Sequence, residues 1–411
     1  VAAAIFWGGG LMVTSLGVSL HQLWLIWLGA GVIGGIGLGL GYISPVSTLI
    51  KWFPDRRGLA TGMAIMGFGG GAMIGMPLGD YLIKANGVGE TFFIMGLIYL
   101  IAMTIGAFGY RVPAEGWKPE GWNPVAKKTN NMISSSHVHV SNAHKTPQFW
   151  LLWGVLCLNV SAGIGVLSVA KPMFQEIAAS SFDPLIIGAI ATGFGALLSL
   201  ANIIGRIFWA SSSDFLGRKL TYAIFFSLGT ALYLAAPWAG INQYIATFVL
   251  ITLVILTMYG GGFATIPAYL ADIFGTQHVG AIHGRLLTAW SLAGIVGPML
   301  ISYLREYQLS MGIPTDQAYN SSFKILALLL VAGFILNLLV KPVNKKFGMT
   351  PAELKAEQGA LKGTQTNSSV VASVTNTSMQ KILLPLAWIV VGVPITLGIL
   401  NALQKGIIIF L

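Results

Sequence analysis

Apolar positions along this chain come in long unbroken runs rather than in alternating or one-sided patterns. A helix needs about 20 consecutive apolar residues to cross the hydrocarbon core of a bilayer. About eleven runs of that length are present, near 1–18, 23–49, 58–83, 91–110, 149–171, 184–209, 220–238, 243–269, 284–304, 322–340 and 383–403. None alternates with period two, which excludes a strand barrel. The pattern predicts an all-α membrane protein. Two polar stretches interrupt it. Residues 112–146 carry Trp117, Trp122, several prolines and a Ser/Asn/His tract, and divide the chain in two. Residues 350–382 open with Thr350-Pro351-Ala-Glu353, the makings of an N-cap with a capping box, then dissolve into Thr, Ser, Asn and Val, a tether ahead of the last run.

Composition agrees. Hydrophobic residues make up 55% of the 411 and charged residues 9%, so no charged shell could keep the chain in water; a soluble domain has about 25% charged residues. The formal charge of +10 does not point to nucleic acid, because the basic residues sit singly at run ends and form no stripe. They sort by side instead. Lys51, Arg56, Arg57, Arg111, Lys118, Lys127, Lys128, Lys145, Arg218, Lys219, Lys341, Lys345 and Lys346 fall in alternate connections, whereas the others hold little beyond Lys84 and Arg305. The positive-inside rule makes the first set cytoplasmic. The lone Cys157 cannot form an internal disulfide. The chain opens at Val1 directly into an apolar run, which reads as a chain whose true N-terminus lies upstream rather than as a signal peptide.

The most informative stretch is Asn202 to Lys219. Arg206 lies within an apolar run, and a guanidinium there costs about 2.5–3.5 kcal/mol on insertion scales, so it is expected to face a wet cavity or a partner. It stands about 12 Å along a helix from Asp214, too deep for a surface anchor. The competing role is structural, binding helix-end carbonyls or the Asp214 turn. The run ends in Asp214-Phe-Leu-Gly217-Arg218-Lys219, a charged turn suited to tying helix ends together and biasing a conformational cycle. A buried cation plus such a turn points to a carrier for an anion.

A faint internal repeat supports two related halves. Gly41-Tyr42-Ile-Ser-Pro45 followed by Trp52-Phe53 parallels Gly262-Phe263-Ala-Thr-Ile-Pro267 followed by Ile273-Phe274, and the next run in each copy carries Gly75-Met-Pro77 or Gly297-Pro298. Gly67, Gly71, Gly75 and Gly79 recur every fourth residue and are expected to form a smooth stripe for close helix packing, as are Gly35, Gly37, Gly39 and Gly41. A dinucleotide loop would need a strand before the glycines, and none is predicted.

These residues resemble a known family. The Asp214–Lys219 turn, with Ala210 four residues before it, resembles the loop signature Gly-x-x-x-Asp-x-x-Gly-Arg-Lys of the major facilitator superfamily. The turn Lys51-Trp-Phe-Pro-Asp55-Arg56-Arg57-Gly-Leu-Ala-Thr-Gly62 is more specific and is similar to the oxalate:formate antiporter family within that superfamily. The resemblance covers nearly all of 1–349. It implies twelve core spans in two bundles of six, of which this chain shows ten. Its first run corresponds to the family's third span, and the first two have no counterpart. The implied division is a partial N-terminal bundle at 1–111, a cytoplasmic loop at 112–146, a C-terminal bundle at 147–341, a cytoplasmic linker at 342–382 and an extra transmembrane helix at 383–411.

The resemblance also implies site residues. In the family's oxalate carrier an Arg on the eighth span and a Lys on the eleventh bind the dicarboxylate. Arg206 matches the Arg, but Trp290 stands at the Lys position. Two unit charges 4 Å apart at an effective dielectric of 20 interact by about 4 kcal/mol. Losing one cation therefore argues for a monocarboxylate such as formate or pyruvate over oxalate. Tyr42, Tyr259 and Phe263 match the aromatics that line the family's pocket; the competing reading makes them and Trp290 ordinary core aromatics. Lys171 either snorkels to the outer interface or draws anions to the outer mouth.

The expected function is secondary transport of a small carboxylate anion by alternating access, favouring exchange, with a counter-anion or proton as coupling partner, in a bacterial plasma (inner) membrane. The rival from another class is a carrier-like sensor or accessory subunit that binds carboxylate without net transport. No nucleophile–base–orienter set is visible, so no enzyme and no cofactor are expected. His137, His139 and His144 share a polar loop at spacings that make a poor metal site. Acidic residues, among them Asp80, Glu90, Glu176, Asp183, Glu306 and Asp316, lie mostly at loop edges, and no intramembrane carboxylate of the proton-symport kind is seen.

Overall fold

The computed structural model describes residues 1–109, 111–113, 117–119, 121, 132–134, 136–354, 356–357, 396, 399–400 and 403. The apolar runs become helices. They are α1 (Ala2–Ser19), α2 (Leu23–Trp52), α3 (Arg57–Phe108), α4 (Pro147–Ser168), α5 (Ala170–Ile177), α6 (Ile187–Leu216), α7 (Arg218–Ile241), α8 (Ile245–Phe274), α9 (Val279–Leu286), α10 (Thr288–Ser310) and α11 (Asn320–Leu339). Among the described residues nine helical segments are long and apolar enough to cross a membrane, and no named strand is formed. Lipid cannot hydrogen-bond backbone groups, so a chain this apolar closes its hydrogen bonds within helices. The run at 383–403 and the final helix predicted there lie outside the described residues, apart from isolated positions.

The runs 58–83 and 91–110 form the two arms of one element, α3, which continues through the polar segment Lys84–Glu90 with a single break. The break is at Gly87, whose φ of 82° and ψ of 173° belong to a region that only glycine adopts without strain. A second break of this kind is Gly217 (φ 87°), which ends α6 and starts α7 without an intervening loop. Run 149–171 is likewise divided at Val169 into α4 and α5, and run 284–304 is preceded by α9. The Thr350 capping box forms as expected: Thr350 N donates to Glu353 Oε2 at 2.7 Å and Glu353 N donates to Thr350 Oγ1 at 3.3 Å. These hydrogen bonds hold the Glu353 carboxyl below the usual carboxylate range.

α1, α2 and α3 pack on one another as one helix group; α4 to α11 form a second, with α6 against α8, α4 against α10, and α7 against α11. The groups meet where α3 crosses α6 and α8, and where α2 meets α9. The repeat read in the sequence falls on α2 and α8, each with its proline inside the helix.

The predicted glycine stripe is corrected. Among the described residues, a Cβ on Gly67, Gly71 or Gly79 meets nothing within 4 Å, and one on Gly75 meets only Tyr99 Oη at 3.6 Å. The close face of α3 is carried by Gly58, Gly62 and Gly69 instead, against α6. In α2, Gly37 and Gly41 are packed, whereas Gly35 and Gly39 are open.

Candidate functional site

Arg206 lies on the face of α6 that meets both α8 and α3, in a slot that side chains would close. A Cβ on Gly205 would collide with the Thr257 backbone, and one on Gly260 with the Asn202 carbonyl. From α3, a Cβ on Gly62 would come 2.7 Å from the Arg206 carbonyl, and one on Gly69 2.9 Å from Arg206 Nε. Within this slot Arg206 is 2% exposed. Its Nε donates to Asn202 Oδ1 at 3.1 Å, one turn earlier on the same helix. Its Nη1 donates to the Ile65 carbonyl at 2.8 Å, on the other helix group. The guanidinium carbon lies 5.7 Å from the Phe68 ring centre and 5.6 Å from that of Phe263, within cation–π range. No carboxylate pairs with it among the described residues.

The expected aromatics gather around this group. Trp290 is the hub, with ring centres at 6.0 Å from Tyr42, 5.5 Å from Phe68 and 5.3 Å from Phe263. Tyr259 adds to the cluster through Phe263 at 5.5 Å, and Tyr42 through Phe68 at 5.6 Å. Tyr42, Phe68 and Trp290 come from three helices spanning both groups, so the cluster lies at their contact. Phe68 is 41% exposed, so the cluster is open on that side. A cavity of about 350 Å³ lies elsewhere, lined by Arg218, Lys219, Tyr269 and Asp272.

Two residues of the cluster escape sequence reasoning. Phe68 is the only aromatic between Pro54 and Asp80, a signal that was readable. His283, on α9, is 2% exposed with its ring centre 5.7 Å from that of Tyr42. His283 Nε2 and Tyr42 Oη are buried without a hydrogen-bond partner among the described residues. An unsatisfied buried polar atom costs about 1–3 kcal/mol, and of the several such atoms among the described residues these two lie in the aromatic cluster.

The basic end of the molecule is tied shut. Asp214 accepts from Gly58 N at 2.9 Å and Leu59 N at 3.0 Å, capping the first turn of α3 from the opposite helix group. A carboxylate there satisfies free N–H groups and complements the helix dipole. Arg218 Nη2 lies 2.5 Å from Asp214 Oδ1, and its Nε 3.3 Å from Asp272 Oδ2. Arg57 Nη1 completes the chain at 3.1 Å from Asp272 Oδ1. Thr61 Oγ1 adds a bond to the Ala264 carbonyl at 2.7 Å. Of the three charged residues at 55–57, only Arg57 reaches this latch; Arg56 is exposed and meets its neighbour Asp55 at 3.7 Å. Asp272, unremarked in the sequence, immediately precedes the repeat's Ile273-Phe274 pair, as Lys51 precedes Trp52-Phe53. Lys219 turns away to cap the end of α11, donating to the Leu338 and Val340 carbonyls at 2.7 Å each. Beside the latch, burial and then the neighbouring His278 and Arg57 hold His137 below its ordinary value.

At the opposite end Lys171 is exposed on α5, and the ion pair formed there is Arg305 with Glu176. His139, His278 and Glu357 form a cluster with metal-ligand spacing, remote in sequence from the Arg206 site.

Comparison with known proteins gives a consistent picture. The chain is 27% identical over 326 residues to the oxalate:formate antiporter of Oxalobacter formigenes, covering 78% of this chain and 72% of that protein. It is 26% identical over 371 residues to apicoplast pyruvate carrier 1 of Toxoplasma gondii, covering 75% and 64%. Among solved structures, the fucose:proton symporter of Escherichia coli superposes with a TM-score of 0.56 at 12% identity, covering 85% of this chain and 83% of that one. The model of the Major Facilitator Superfamily matches residues 1–298 and again 160–404. With helices, packing and family model in agreement over most of its length, the chain belongs to the Major Facilitator Superfamily of membrane transporters.

Proposed function

We propose that this protein is a secondary transporter of a small monocarboxylate within the oxalate:formate antiporter family, working by alternating access with Arg206 as the anion-binding cation. The observation that carries this reading is the isolation of that guanidinium: buried at the contact of the two helix groups, in an aromatic cage, without a carboxylate partner among the described residues. A buried charge is costly unless paired, and a bound carboxylate supplies the missing partner. The rings of Phe263 and Trp290 line the inner side of the cage and strengthen that attraction, Phe68 stands at its open side, and the unpartnered Tyr42 Oη supplies a donor for the anion.

One cation and an indole in place of a second favour a single negative charge. The names of two relatives, a pyruvate carrier and an oxalate:formate antiporter, support carboxylates as the substrate class. Exchange follows from the same electrostatics. An unliganded Arg206 resists passing through a dry, closed intermediate, so the carrier reorients when loaded. In this reading residues 1–111 and 147–341 are the two rocking bundles, the basic end is cytoplasmic, and the Asp214–Arg218–Asp272–Arg57 latch holds that side shut in the present conformation.

Counterflow of radiolabelled formate or pyruvate into proteoliposomes tests the proposal. The wild-type protein is expected to exchange, and Arg206→Gln to insert and fold but lose exchange. Exchange at the wild-type rate in that variant would remove Arg206 from the mechanism. Saturable carboxylate binding with no flux in the wild type would favour a sensor.

A further inference from the structure

Three segments far apart in sequence meet at the C-terminal end of α8. Ser134 N and Val138 N donate to the carbonyls of Asp272 at 2.7 Å and Phe274 at 2.9 Å, capping the last turn of that helix. Met349 N donates to the His137 carbonyl at 2.7 Å, and Val138 pairs with Gly348 in an isolated antiparallel bridge. On this platform His139 caps a short helix (Val140–Ala143), His278 immediately precedes α9, and Glu357 is among the helical residues that follow the Thr350 capping box. His278 Nε2 lies 2.9 Å from Glu357 Oε2, and His139 Nε2 lies 3.2 Å from Glu357 Oε1. One ligand atom from each residue falls within 4.8 Å of the others. The side chains are 36%, 18% and 31% exposed for His139, His278 and Glu357, so an ion from solution can reach them.

We propose that His139, His278 and Glu357 form a binding site for a divalent transition-metal ion of the Zn²⁺ type. Two imidazoles and one carboxylate are a borderline-soft donor set, suited to zinc rather than to calcium or magnesium, which take oxygen ligands. Bonds of about 2.0–2.2 Å from a tetrahedral ion put its donors about 3.3–3.6 Å apart, and one donor from each of these residues lies within 4.8 Å of the others before any ion draws them in. Ligation through Nε2 takes the tautomer in which His139 Nδ1–H donates to Ser141 Oγ, 2.6 Å away, in place of accepting from Ser141 N; that bond braces the ring. Three protein ligands leave a fourth position for water.

The location gives the site a consequence. Its ligands come from the loop before α4, the turn between α8 and α9, and the segment after α11. A bound ion pins all three to the end of α8, where the Asp272 carboxylate holds Arg57 of the other helix group. Metal is therefore expected to stabilise the closed basic end and slow substrate exchange.

The test uses the purified full-length protein with affinity tags removed and metal stripped by chelator. Calorimetric titration with Zn²⁺ is expected to show one ion per chain. Titration with Co²⁺ is expected to give the visible absorption bands of a four-coordinate site. His278→Ala and Glu357→Gln are each expected to weaken binding by more than about tenfold, whereas His144→Ala leaves it unchanged. Size-exclusion profiles confirm folding, and the near-isosteric Glu357→Gln decides the matter should His278→Ala fail to fold. Absence of stoichiometric binding, or binding indifferent to the His278 and Glu357 substitutions, overturns the site. Neither readout depends on whether Arg206 carries substrate.

Discussion

Arg206 Nη1 donates to the carbonyl of Ile65 at 2.8 Å, so the buried cation of one helix group is fastened to the backbone of the other. The same side chain reaches Asn202 Oδ1 through Nε. Geometry as well as charge is thus specified. Arg206→Lys keeps the charge but not the planar fork, and an ammonium cannot satisfy both acceptors in the same way. Counterflow by this variant is expected to fall by more than about tenfold, equivalent to about 1.4 kcal/mol of lost stabilisation. A variant as active as the wild type would show that a point charge suffices.

Trp290 stands where the family resemblance implies a second cation. Trp290→Lys places an ammonium among Tyr42, Phe68 and Phe263, facing Arg206 across the cage. Competition assays are expected to show preference moving from formate or pyruvate toward oxalate. The driving term is up to about 4 kcal/mol before desolvation at an effective dielectric of 20. An unaltered preference order would argue that Trp290 lies outside the substrate's reach.

Asp272 bridges Arg57 and Arg218 at the closed end. Asp272→Asn removes charge-assisted bonds worth about 1.5–3 kcal/mol each and leaves two partly buried cations facing each other. The basic end is expected to open more often. In a Cys157→Ser background carrying Thr61→Cys, a membrane-impermeant maleimide applied to that side should label faster when Asp272→Asn is added. Equal labelling rates would mean that the latch does not govern opening.

Gly205 and Gly71 make a matched pair. A methyl group on Gly205 runs into the Thr257 backbone, where neither helix can yield cheaply. Gly205→Ala is expected to cost about 1–3 kcal/mol and to lower the Tm in detergent. A methyl group on Gly71 meets nothing within 4 Å. Gly71→Ala is expected to leave Tm unchanged or raise it slightly, gaining up to about 1 kcal/mol of helix propensity. The reverse order would restore the regular glycine stripe as the packing face.

The helices were legible because a long apolar run has a single solution in lipid, and the inner residues because Arg206 is so costly there that its surroundings had to be special. Tyr42, Tyr259, Phe263 and Trp290, named from the family resemblance, do gather beside it. The glycine face was not legible. α3 is apolar on all sides, so periodicity cannot say which stripe meets protein. The latch was half legible: Asp214 and Arg218 announce themselves by sequence, but the α3 amides they serve lie some 155 positions away. His278 and Glu357 stand 139 and 218 positions from His139 respectively (278 − 139; 357 − 139), which is why a histidine loop of poor local spacing gained companions only in three dimensions.

Gly87 joins the two halves of α3 through one residue rather than a loop. Whatever rearrangement the protein undergoes, the two helix ends flanking that joint cannot drift apart by more than a bond or two allows. The pair must swing as a bent lever, and the slack for the motion has to come from the connections at the other end.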